Sequence, residues 1–292
     1  MRPVFTWNIG SRSLPLGKRT VVMGVVNVTP DSFSDGGQHF SPQAAIAHGL
    51  KLLEEGAEVV DVGGESTRPG ARAGTDSAVV GAEEELRRVL PVIAGIKNVK
   101  PAAIVSIDTY KATVARAAVE AGAEIVNDVS GFLWDPDLRK TVAGMRCGVV
   151  IMHTRGRPEE WKSLPAVPDA AMLVKKELRQ RADEAVRAAG IRRDRIILDP
   201  GFGFGKGYTG DCALLREFEK LHELRFPLLA GVSRKSFLGK ALAQDGAEPP
   251  ASERLFGTLG AETALVLKGA HMIRTHDVKA CVQALKVADL IA

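Results

Sequence analysis

The sequence predicts a (β/α)8 TIM barrel with a short N-terminal hairpin, in a single domain over residues 1–292. Three observations lead there. Eight short apolar runs recur along the chain, each ending in polar residues or glycine. A stretch rich in Ala, Leu and Glu at helical spacing follows each run, and no Pro- or Gly-rich linker breaks the alternation. Eight uninterrupted strand–helix units are what a closed barrel requires. An open doubly wound sheet is the structural alternative, but the G-x-G-x-x-G turn that would favour it is missing after the first run.

The opening segment 4–18, "FTWNIG" then "SRSLPLG", reads as a hairpin able to close the bottom of the barrel. "VVMGVVNV" (21–28) is β-branched and apolar, hence a buried strand, and a helical pattern spans 42–55. "EVVDVGG" (58–64) precedes a helix at 82–95, and "AIVSIDT" (103–109) one at 111–121. "EIVNDVSG" (124–131) leads to 136–144, and "GVVIMHT" (148–154) to 169–189. "RIILDPG" (195–201) leads to 211–223, "PLLAGVS" (227–233) to 253–268, and "HMIRTHD" (271–277) to 278–290. Two connections, 29–41 and 64–78, are much longer than the roughly 2–6 residues such a turn needs. Both lie after strand C-terminal ends, the rim where barrel enzymes carry their chemistry, and suggest a lid.

The chain is 45% hydrophobic and 25% charged, enough to bury a large core. Its net charge of +4 comes from Lys and Arg spread along the sequence, which argues for an anionic small molecule and against nucleic acid. Cys147, Cys212 and Cys281 are odd in number, far apart and without C-x-x-C spacing, so free thiols in a reducing compartment are expected. "MRPVFTWNIG" has no signal-peptide core and no apolar run approaches the ~18–20 residues of a membrane helix, so a cytoplasmic location is expected.

Polar residues end nearly every strand: Asn27, Asp61, Asp108, Asn127 with Asp128, His153, Asp199, Ser233 to Lys235, and Arg274 with His276. One such residue is ordinarily a structural hydrogen-bonding group or a helix cap. Polar ends converging from all eight strands line a mouth for a polar ligand. Arg274 and His276 are two apart, so strand parity puts them on one side, where Lys235 could complete a cationic cluster for a phosphate or diphosphate. Asp108, Asn127 and Asp199 suit a heterocycle edge with several N–H donors, since buried carboxylates need partners. "DPGFGFGKG" (199–207) fails the Walker A spacing, and its glycines serve tight turns beneath a ligand instead. The charged stretch 174–195 reads as a solvated helix face. His153 is open between packing and ligand contact, and with His276 it lacks a third partner for zinc.

In order along the chain, "MGVVNVTPDSFSDGG", "GAEVVDVGGESTRPGA", "SIDTYKATVARAAVEAGAEIVNDVSG", "VVIMH", "ILDPGFGFGKG", "GVSRKSFLG" and "IRTHDV" resemble the bacterial dihydropteroate synthase family over about residues 20–280. The resemblance implies a homodimeric TIM barrel that joins 6-hydroxymethyl-7,8-dihydropterin diphosphate to 4-aminobenzoate in folate synthesis. It implies that Asp108, Asn127 and Asp199 hold the pterin edge, that Met152 packs near the ring, and that Lys235 reaches the pterin. Asn27, Arg68, Arg274 and His276 would hold the diphosphate, with Asn27 touching Mg2+. Phe33, Thr67, Pro69 and Ser236 would shape the aminobenzoate pocket, and Asp35, Arg68 and Lys235 would be the catalytic residues. Asp211 and Cys212 stand where the family usually carries an asparagine, and Thr154 where methionine is more usual. Two related readings compete: a pterin-dependent methyltransferase domain, which would lack the "TPDSFSDGG" loop and "SRKS", and a non-catalytic pterin binder, which would have lost Asn27, Arg68 or Lys235.

Overall fold

Alternation along the apolar runs sends every second side chain into a barrel and the rest out toward helices, so both strand faces are buried. A computed structural model describes residues 2–29, 41–66 and 80–292. In it the runs form eight parallel strands: β3 Val21–Asn27, β4 Val59–Gly63, β5 Ile104–Asp108, β6 Ile125–Asp128, β7 Gly148–Met152, β8 Ile196–Asp199, β9 Leu229–Ala230 and β10 Met272–Thr275. They follow the order β8-β7-β6-β5-β4-β3-β10-β9. A parallel bridge between Leu198 and Leu228 closes the ring, with the Leu198 N–H donating to the Pro227 carbonyl at 3.0 Å. Strand β9 is shorter than the 227–233 expected. Pro227 has no N–H to give to a ladder, and the chain leaves the sheet after Ala230.

The helices are α1 Pro42–Glu54, α2 Ala82–Val99, α3 Ala112–Glu120, α4 Leu138–Ala143, α5 Ala170–Asp183, α6 Gly207–Arg216, α7 Ser236–Ala241, α8 Leu255–Leu267 and α9 Val278–Ala288. Helix α2 runs four residues past its expected end despite Pro91 within it. The helix expected at 211–223 is instead α6 followed by a 3-10 segment, Phe218–Leu224. Phe218, Leu221 and Leu224 are all buried, and a three-residue turn is what brings that spacing onto one face. Helix α7 was not anticipated, its one and a half turns being too short to show a period.

The hairpin is β1 Phe5–Asn8 paired antiparallel with β2 Ser13–Leu16. It plugs the bottom of the barrel. Trp7, Ile9 and Leu16 are fully buried against Met23, Val59, Ile104, Ile125, Val150, Ile197, Leu229 and Met272, which are the lower inward-facing positions of all eight strands. The Trp7 indole donates to the Arg195 carbonyl at 2.8 Å, and Arg12 bonds both oxygens of Glu124. A larger cluster fills the space between strands and helices. Trp7→Ala should therefore lower stability by about 3–5 kcal/mol through lost burial and a cavity. Urea unfolding measures this, and a loss under about 1 kcal/mol would show that the hairpin is not part of the core.

Candidate active site

Two residues above the apolar floor, the next inward position turns polar on five strands. Val59 gives way to Asp61, Ile104 to Ser106, Ile125 to Asn127, Ile197 to Asp199 and Met272 to Arg274, while β3 and β7 keep apolar side chains there, Val25 and Met152. Register makes these neighbours: Asp61 lies beside Ser106, and Met152 beside Asp199. One step higher, Asp108 ends β5 beside Asn127, and Asn27 ends β3 opposite Gly63. A barrel closed by a greasy floor thus opens into a polar mouth within one period of its strands.

Arg274 crosses the mouth. Its Nε donates to Asp61 Oδ2 at 2.7 Å and its Nη2 to Asp108 Oδ2 at 2.7 Å. Asn127 Nδ2 donates to the same Asp61 oxygen at 2.8 Å. Asp61 is wholly buried, and its Oδ1 has no partner among the described residues. Arg274 is thus ion-paired within the mouth rather than bare, while its charge still acts on Lys235 nearby. Two carboxylates in a low-dielectric site need a cation, and Arg274 supplies it. His276, just past β10, has its Nδ1 3.0 Å from Ser233 Oγ. Lys235 rises from the turn before α7 with its Nζ 4.3 Å from the centre of the Phe204 ring. Phe204 belongs to an upper cluster with Tyr110, Val129, Met152 and Trp161, an apolar shelf beside the polar ring. Asp199 Oδ1 accepts the Gly201 N–H at 2.7 Å. Gly201 takes a φ of +66°, and a Cβ there would run into the His153 carbonyl, so the "DPGF" turn requires glycine. Ser236, the first residue of α7, borders a groove of about 390 Å³ walled by Trp161, Gly203, Gly205, Tyr208 and Lys240.

Burial sets the charge states. It raises the Asp108 carboxyl, with Arg274 pulling the other way and Asp61 and Glu85 adding to the rise. It pushes Asp199 up to about 6 against the Gly201 N–H, Lys235 and Lys206. It brings Lys235 down to about 8, helped by Arg274 and opposed by Asp199, Asp211 and Asp108. The ring holds more charge than it can solvate, and a ligand with N–H donors and negative charge would relieve it.

Of the residues singled out in the sequence, Asp108, Asn127, Met152, Asp199, Lys235 and Arg274 converge on the mouth. Asn27, Ser236 and His276 lie on its rim. Phe33, Asp35, Thr67, Arg68 and Pro69 lie outside the described residues. His153 resolves to packing: fully buried, its Nε2 is 3.1 Å from Glu177 Oε2 on α5. The charged stretch 174–195 is not all solvated. Arg181 is buried and donates to the carbonyls of Met152 at 2.8 Å and Thr154 at 2.9 Å, tying α5 to the end of β7. Lys206 is buried too, with its ammonium on the Gly201 carbonyl at 2.7 Å. Asp61 was visible as a strand-end polar residue but unassigned. A charge amid "VVDVG" was the available signal for a core role.

A family model described as pterin binding enzyme matches residues 23–276. The chain belongs to the pterin-binding enzyme family. It is similar to the dihydropteroate synthase of Synechocystis, at 41% identity over 97% of this chain and 94% of that protein. Among solved structures, the dihydropteroate synthase of Xanthomonas albilineans with 4-aminobenzoic acid superposes with a TM-score of 0.87 at 42% identity, covering 100% of this chain and 98% of that one. The same enzyme in complex with 7,8-dihydropteroate gives a TM-score of 0.81 at 41% identity, with 94% of each chain covered.

The Asp199 shift has a consequence for stability. Its folded pKa exceeds the ordinary value, so the folded protein keeps that proton where the unfolded chain has already released it. The fold gains from this below the ordinary carboxylate range and loses the gain as pH rises through about 6. Asp199→Asn should then be nearly neutral at about pH 3.5 and stabilise the unliganded protein by on the order of 1–3 kcal/mol at about pH 8. Urea midpoints at the two pH values measure it. Equal effects at both would mean that the carboxylate is not strained.

Proposed function

We propose that this protein is a dihydropteroate synthase: it condenses 6-hydroxymethyl-7,8-dihydropterin diphosphate with 4-aminobenzoate to give 7,8-dihydropteroate and diphosphate, a step of folate biosynthesis. The observation that carries the proposal is the polar ring itself, with acid and amide oxygens in its floor and Arg274 reaching toward the rim, in a chain similar over nearly its whole length to enzymes of that name. Asp199, Asn127 and Asp108 accept from the N–H donors of the pterin's amino-pyrimidinone edge. Met152 packs against the ring face, and Lys235 bonds its polar edge. Arg274 turns Nε and Nη2 to the carboxylates, and among the described residues its Nη1 makes no hydrogen bond, which leaves that nitrogen for an anion. His276 and Asn27 complete the diphosphate site with Arg68. To Phe33, Thr67, Pro69 and Ser236 we assign recognition of 4-aminobenzoate, and to Asp35 a catalytic role.

The reaction is a substitution of dissociative character. The bond from the methylene carbon to diphosphate breaks with its electron pair leaving on oxygen. The electron-rich dihydropterin supports the cationic carbon, and the aniline nitrogen then attacks it and loses a proton. The protein provides no nucleophile. Its part is to hold the two substrates in line and to stabilise the departing charge with Arg274, His276 and Lys235.

Magnesium fits this donor set. Asn27 offers one neutral, hard amide oxygen, and among the described residues no three His, Cys, Asp or Glu side chains cluster as a metal site. An ion bound chiefly through substrate phosphates and water needs no more than that, and when bound it neutralises diphosphate. We further propose a homodimer in the cytoplasm. Helix α8 presents Phe256, 84% exposed, and Leu267 on one face, and among the described residues no helix is long and apolar enough to cross a membrane.

Supplied with the pterin diphosphate, 4-aminobenzoate and Mg2+, the purified protein should form dihydropteroate and diphosphate in equal amounts, and excess chelator should stop it. Product formation unaffected by chelator would remove the metal from the proposal, and no product at all would remove the activity. Asp199→Ala should lower kcat/KM by about 2–4 kcal/mol, as expected for a lost charge-assisted contact in a dry site. A folded variant with near-normal kcat/KM would rule out the role given to Asp199.

A further inference from the structure

Lys235 and His276 stand on two different loops, after β9 and after β10, and neither strand extends under its residue. Ser233, two residues before Lys235, makes one tie between the loops: its Oγ accepts the His276 N–H at 3.2 Å and lies 3.0 Å from His276 Nδ1. A second tie lies beside it. Arg234, next to Lys235, donates from Nε to Asp277 Oδ2 at 3.0 Å and from Nη2 to Asp277 Oδ1 at 2.6 Å, a two-pronged pair across the loops. Asp277 adjoins His276 and occupies the N-cap of α9, where an aspartate ordinarily accepts from the helix's own first-turn N–H groups. Here it makes no such bond, and its carboxylate is turned to Arg234 instead. Arg234 is also held in the left-handed region, at φ +60°, a conformation that a bulky residue keeps only under constraint. The constraint is visible. Thr258 Oγ1 accepts the Arg234 N–H at 3.1 Å, and Arg254 Nη1 donates to the carbonyls of Arg234 at 3.1 Å and Lys235 at 3.3 Å. Gly239 leaves room for that guanidinium, since a Cβ on it would collide with Arg254.

We propose that Arg234 and Asp277 are positioning residues whose ion pair locks the Lys235 loop to the His276 loop, so that the pterin-side and diphosphate-side groups act at one fixed separation. The inference rests on the function proposed above. The pair is partly exposed, so it adds little to fold stability, whereas a small misplacement of groups that stabilise departing charge is expensive in rate.

Arg234→Gln, Arg234→Lys, Asp277→Asn and the double variant Arg234→Gln with Asp277→Asn test it, assayed well below their melting temperatures. Each Gln or Asn single variant should lose at least about tenfold in kcat with KM for 4-aminobenzoate changed less than about threefold. The double variant should be no worse than the poorer single one, and Arg234→Lys should recover part of the loss. Diphosphate affinity, read by calorimetry and independent of turnover, should weaken at least about fivefold in both single variants and no further in the double. Wild-type kcat and diphosphate affinity in the folded variants would overturn the proposal, as would single-variant losses that multiply in the double. Failure of the wild-type protein to make dihydropteroate would instead count against the proposed reaction and leave the calorimetric comparison to decide the coupling.

Discussion

The mouth of the barrel rests on one arrangement, an arginine shared between two buried carboxylates. Asp61 is wholly enclosed, and Asp108 is nearly so. Ionised carboxylates in such a place are tolerable only if paired and hydrogen-bonded. Arg274, reaching from β10 to β4 and β5, meets that condition for both, and Asn127 adds a further donor to Asp61. The rest of the fold supports this arrangement. Strand register brings Asp108 beside Asn127, the apolar positions two residues below exclude water from beneath, and the hairpin seals the far end. A polar ring one step above a dry floor is sterically cheap because alternation along the strands already aims the side chains inward.

The ring is not relaxed without a ligand. Asp199 and Lys235 are drawn toward neutrality from opposite directions by burial, and Asp108 is raised despite Arg274. Such strain lowers the stability of the empty protein and raises the affinity for a molecule that supplies what is missing. Donor groups on a heterocycle suit the carboxylates, and an anion suits the cations. The same groups therefore oppose folding and drive binding, the usual tension at a functional site.

Much of this was legible from spacing. The apolar runs and the helical stretches between them name the barrel, and polar residues at successive strand ends name the mouth. The bonds within the mouth were not legible. Arg274 meets Asp61 and Asp108 across 213 and 166 residues of chain, and no local period encodes a side chain's choice between a carboxylate and a phosphate. Arg181 and Lys206 were misread or passed over for a related reason. A long basic side chain on an amphipathic helix or in a glycine-rich turn has the same sequence signature whether it points to water or caps buried carbonyls. His153 shows the converse: its place at a strand end left two readings open, and the Glu177 contact on α5 decides for packing.

In the reaction proposed above, the sharing of Arg274 by Asp61 and Asp108 also bears on how a diphosphate is both stabilised and released. A bare guanidinium in a dry pocket would attract a multiply charged leaving group strongly, and would hold the product as firmly as the transition state. Arg274 is already opposed by two carboxylates, so its field at the rim is reduced and its geometry is preset. Preset geometry keeps the stabilisation of developing charge, which depends on donors that need not reorganise. Reduced net charge lowers the uniform attraction that would slow product departure. Asp61 and Asp108 thus differ in consequence although both bond the same arginine. Asp108, at the top of β5, stands where it can also accept from a bound heterocycle, whereas Asp61, sealed one layer lower, can act on a ligand only through Arg274 and Asn127.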